Sequence, residues 1–135
     1  MKRIFVDANV FLRFFTLDDQ GQHERAAGLL RQAEAGKVAL VTGPPVLFEI
    51  AWTLRAAYKQ TNMKVLEALS AIAALPGLEL TDARIVEEAL TLAKISGQEF
   101  ADAYIAAVSQ QIGADGVATF NRAHFEKLAV TLHPF

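Results

Sequence analysis

Asp7, Glu49 and Asp102 are the residues of this sequence whose type and setting can carry chemistry. Asp7 directly follows the apolar run Ile4-Phe5-Val6 and precedes Ala8-Asn9-Val10. An acid there either caps a helix or works at the end of a strand. Asn9 supplies a further short oxygen donor two residues on, although Asx residues are also common in turns. In a helix running from Pro45, Glu49 has Pro45, Val46, Trp52 and Thr53 as its turn-neighbours, a largely apolar face. A lone buried carboxylate is costly unless it is paired or holds a metal, so Glu49 is read as a ligand or as the partner of Arg55 or Arg13. Asp102 opens the helical stretch that continues Ala103-Tyr104-Ile105-Ala106. There it can answer the helix dipole, but Ile105 and Ala106 beside it point to an inward setting. Three inward acids brought together would repel by about 4 kcal/mol per pair at about 4 Å. A hard divalent cation relieves this, and such cations take oxygen ligands. With no cysteine, and with His23, His124 and His133 scattered, zinc is the poorer fit.

The elements that must position these acids follow from the pattern around them. Short apolar runs at Ile4–Val6, Val38–Val41, Leu78–Leu80, Val117–Thr119 and Val130–Leu132 predict five strands. Between them, helical periodicity predicts helices at about 8–16, 20–35, 45–60, 62–74, 82–95 and 99–112. Gly36, Gly77 and Gly113 follow helical stretches, where glycine accepts the closing left-handed conformation. Strands alternating with helices predict an α/β fold, a parallel sheet of about five short strands in a three-layer sandwich. Sites in such sheets form at the carboxyl ends of the strands.

The chain has 135 residues, 53% hydrophobic and 21% charged, and no repeat or linker divides it, so a single domain over 1–135 is expected. No apolar run is long enough to span a bilayer, and Ile4–Val6 is too short for a signal peptide, so a cytoplasmic protein with no membrane partner is expected. The net charge of −2 does not argue strongly against a polyanionic partner. Neutralising the three acids leaves twelve acidic against thirteen basic side chains, or +1, and a field depends on where charges sit.

Four segments together resemble the PIN domain, and specifically the VapC-type toxins of toxin–antitoxin pairs. Phe5-Val6-Asp7-Ala8-Asn9-Val10-Phe11-Leu12-Arg13-Phe14-Phe15, with Asp18-Asp19 after it, is similar to that family's first motif. Pro45–Leu54 around Glu49 resembles the second, Phe100–Ala107 around Asp102 the third, and Thr119–Phe125 the fourth. The order and spacing of the four carry the resemblance, which runs from residue 4 to about 132. It implies a metal-dependent ribonuclease using Mg²⁺ or Mn²⁺. Asp7, Glu49 and Asp102 would be its catalytic and metal-binding acids, with Glu99, Asn121 and His124 as further metal candidates. Asn9 and Thr119 would orient those ligands, and Arg13, Arg55, Lys59 and Arg122 would meet RNA phosphates. An antitoxin partner and a homodimer are implied as well. Trp52, Leu54, Tyr58, Met63 and Leu66 supply more apolar surface than such a sheet obviously covers.

One departure stands out. The family usually carries another acid in the fourth motif, where this chain has Asn121 or His124. A PIN domain that binds RNA or a partner without cutting is therefore a second reading. A phosphatase is a third, weakened because Asp7-Ala8-Asn9 has no second aspartate and no glycine-rich phosphate loop appears.

Overall fold

The computed structural model describes residues 1–135. β1 (Arg3–Phe5) leads into α1 (Ala8–Phe15) and α2 (Gln20–Glu34). β2 (Ala39–Thr42) follows, then α3 (Pro44–Ala56) and α4 (Asn62–Ala73). β3 (Leu78–Leu80) is followed by α5 (Ala83–Ser96), α6 (Phe100–Gln111) and the short α7 (Arg122–Glu126). The six longer helices lie within a few residues of the periodicity. The sequence pattern missed α7, whose five residues are too few to show a period.

The sheet has three strands rather than five, all parallel, in the order β1-β2-β3. Ile4 pairs with Leu40, and Leu40 with Leu78. The last two predicted strands make one isolated parallel bridge, Val117 with Leu132. Its hydrogen bonds run from Val117 N–H to Thr131 O (2.8 Å) and from His133 N–H to Val117 O (2.9 Å). The ladder stops there because the chain turns. Asn121 N–H donates to Thr119 Oγ1 (2.9 Å), folding the backbone over and into α7.

Helices cover the sheet because each turns a stripe of apolar side chains onto one core. Phe11, Leu40, Leu47, Ile50, Leu69, Ile72, Val86 and Ala106 are all fully buried in it. Four of the six longer helices start on a recognisable signal. Asp19 accepts from Gln22 N–H (2.9 Å) ahead of α2, and Thr61 from Lys64 N–H (3.3 Å) ahead of α4. Proline at the first turn opens α3. The turn from α4 into β3 depends on Gly77 (φ +77°), where a Cβ would lie 2.4 Å from the Ala33 carbonyl oxygen.

Candidate active site

Asp7 sits just beyond β1, at the carboxyl end of the sheet, and it is exposed. The backbone leaves β1 through Val6, whose N–H donates to Val41 O (2.8 Å). The carbonyl of Val6 accepts a hydrogen bond from the buried Thr42 hydroxyl (3.0 Å), which anchors the residue before Asp7 to β2. Thr42 is thus a positioning residue that the sequence reading missed. Its only signal was a polar side chain closing an apolar strand. The capping reading of Asp7 holds, and the residue also stands just past a strand's carboxyl end. Its Oδ1 accepts from Ala8 N–H (2.8 Å) at the start of α1, and no basic side chain pairs with it.

Glu49 is exposed, which corrects the expectation of a buried glutamate. The buried residues of α3 are Pro44, Val46, Leu47, Ile50 and Leu54, so Glu49 stands at the edge of the covered face, one turn from Val46. Glu49 lies two residues past Leu47, about 200° around the helix. Its apolar neighbours Pro45 and Trp52 are surface residues too, Trp52 being 71% exposed. Apolar type did not mean burial here. Neither predicted ion pair forms, because Arg55 Nη2 lies 3.7 Å from Glu99 and Arg13 Nη1 lies 3.7 Å from Asp18.

Asp102 is half-buried, its side chain 24% exposed. Three rings set the start of α6 against α3. Phe48 packs on Phe100 (5.4 Å between centroids) and edge-on to Tyr104 (5.0 Å), next to Glu49 on one helix and on either side of Asp102 on the other. Tyr104 lies in the second turn of α6, and Asp82 lies just beyond the end of β3. Burial, and then the Asp82 carboxylate, hold the Tyr104 phenol above the usual range.

The fourth motif reaches the site through His124, whose Nδ1 lies 3.2 Å from Asp102 Oδ2. The adjacent Phe125 is buried and anchors α7. Asn121 is exposed and makes no capping bond with its side chain. Thr119 has its hydroxyl committed to the turn before α7. Glu99 pairs with Arg55. Asn9 lies in a groove between α1 and α2 with Arg13, while Lys59 and Arg122 are exposed and unpaired.

No three of the His, Asp and Glu side chains lie close enough together to hold a metal ion. The donors still suit a hard cation. Asp7 and Glu49 are oxygen donors that no cation occupies, and Mg²⁺ keeps several waters while using only one or two carboxylates.

No curated protein matches the chain. The family model described as "PIN domain" matches residues 4–130. That match begins in the strand leading to Asp7 and takes in Glu49, Asp102 and His124, and over that span the chain belongs to the PIN domain family.

Proposed function

We propose that this protein is a metal-dependent endoribonuclease and the toxin of a toxin–antitoxin pair. The observation that carries this reading is Asp7, exposed at the carboxyl end of β1 and free of any cation, within a fold whose family is nuclease-associated. Asp7 and Asp102 are the residues that would hold Mg²⁺ or Mn²⁺, which supplies Lewis acidity toward water and the phosphate oxygens. Glu49, exposed on α3, accepts the proton of the attacking water. The new bond joins the water oxygen to phosphorus, one ester P–O bond breaks, and the leaving oxygen takes its proton from solvent. His124 holds Asp102 in one orientation, and Thr42 fixes the backbone from which Asp7 projects. Cleavage of single-stranded RNA with Mg²⁺ or Mn²⁺, lost in Asp7→Asn, tests the reaction. Growth arrest on expression, relieved by the same substitution, tests the toxin role. Persistent cleavage in Asp7→Asn would remove the site assignment.

A second reading has one specific observation in its favour. With His124 against Asp102 and no closed cluster of three acids, a PIN domain that binds RNA or a protein partner without cutting is consistent with the same geometry. RNA binding with no metal-dependent cleavage is its signature. No helix is long and apolar enough to cross a membrane.

A further inference from the structure

A groove of about 560 Å³ opens between α1 and α2, and its polar lining is Asn9, Arg13, Gln22 and Arg25. No acid lines it. Asn9 lies in the first turn of α1, the helix whose N-cap is Asp7, so the groove runs along the helix that Asp7 opens. Arg13 lies one turn beyond Asn9 on α1, and Gln22 and Arg25 share a face of α2 at i, i+3 spacing. The two arginines differ in their commitments. Arg13 is held, its Nε donating to Gln22 Oε1 (2.8 Å) and its Nη1 lying 3.7 Å from Asp18. Arg25 is exposed and has no ion pair.

We infer that this groove binds the backbone phosphates of the RNA strand entering the acidic site, with Arg25 as the free contact and Arg13 as a pre-positioned one. The inference rests on the ribonuclease reading. Asp7, Glu49 and Asp102 repel a polyanion, and only the reacting phosphate gains from a metal ion. The flanking phosphates need fixed positive charge, and guanidinium groups meet phosphate oxygens in a planar, two-pronged geometry. The groove is the concave surface that gathers two such groups along α1, the helix that Asp7 opens.

The test is Arg25→Gln, with Arg25→Lys beside it. A fluorescent single-stranded oligouridylate is titrated without divalent metal over a salt series. Arg25→Gln should weaken binding about tenfold and lower the slope of log K against log salt by about 0.7, the value for one phosphate contact on a single strand. Arg25→Lys should restore the slope, because it restores the charge, and only part of the affinity, because it lacks the fork. In cleavage the loss should fall on KM. Replacing one phosphate at a time by a neutral methylphosphonate should abolish the Arg25→Gln effect at a single position. Arg25 has no ion pair to lose, so an unchanged Tm should accompany these results. Wild-type affinity and slope in Arg25→Gln would overturn the proposal, as would equal, Arg25-dependent binding of an oligoglutamate peptide. Cleavage that persists without any Arg25 effect rejects the groove and keeps the nuclease. Arg25-dependent binding without cleavage rejects the nuclease and keeps the groove.

Discussion

His124 Nδ1 lies 3.2 Å from Asp102 Oδ2, joining the fourth motif to the third across 22 residues of chain. With a proton on Nδ1 the imidazole donates to the carboxylate. Of the two fourth-motif candidates, Asn121 and His124, only His124 contacts Asp102. His124→Asp should tighten metal binding, because it sets a second carboxylate beside Asp102, and should lower metal-free stability by up to about 1 kcal/mol at this partly exposed position. Asn121→Asp should leave both near wild type. Calorimetric metal titration and melts without metal decide it, and equal effects of the two variants would displace His124 from the site.

Asp7→Asn and Asp102→Asn should each reduce metal-dependent RNA cleavage at least about a hundredfold. The fold should survive, because an asparagine oxygen can still accept from Ala8 N–H and Asp102 is not fully buried. Because the acids do not form a close cluster, little repulsion is relieved and Tm should stay within a degree or two. Parallel cleavage assays and melts check both halves.

Thr42→Val replaces a buried hydroxyl by a methyl and leaves the Val6 carbonyl without that donor. It should cost about 1–3 kcal/mol. If Thr42 positions Asp7, cleavage at a temperature where the variant is folded should fall too, and Thr42→Ser should recover most of both. Recovery of stability without recovery of rate would make Thr42 merely structural.

The Tyr104 phenol is raised above its ordinary value of 10.0, by burial and then by Asp82. The native state thus favours the protonated phenol. Its contribution is fully present below about pH 10 and is lost as pH rises through the higher native value. Wild type should therefore lose stability more steeply than Tyr104→Phe above about pH 10, with parallel curves below it. Urea midpoints measured against pH are the check, and coincident alkaline slopes would reject the assignment.

The interface expected around the third and fourth helices is smaller than the sequence suggested. Leu54 and Leu66 are core residues, each 1% exposed, whereas Trp52 and Met63 stand 71% and 56% exposed. If these two form a homodimer contact, Trp52→Ser with Met63→Ser should shift the dimer to monomer in sedimentation without lowering Tm. A wild-type monomer at tens of micromolar would count against the dimer.

The sequence alone determined the elements whose signals are local. Helical periodicity placed six helices, and three apolar runs placed the sheet. It also placed Asp7 at a strand end, because an acid closing an apolar run needs no tertiary information to interpret. The tertiary structure alone decided which faces are inside. Glu49 has apolar neighbours, one of them the buried Val46, yet Glu49 itself is exposed. It decided, too, that the last two runs form a bridge rather than strands, since a ladder needs a partner that stays in register after Thr119 turns the chain. And it decided that His124 rather than Asn121 meets Asp102, because that choice depends on how α7 is anchored by Phe125 against the rest of the fold. Spacing along a chain reports which residues can share a face; only packing fixes which face is covered and which distant side chain lies across from it.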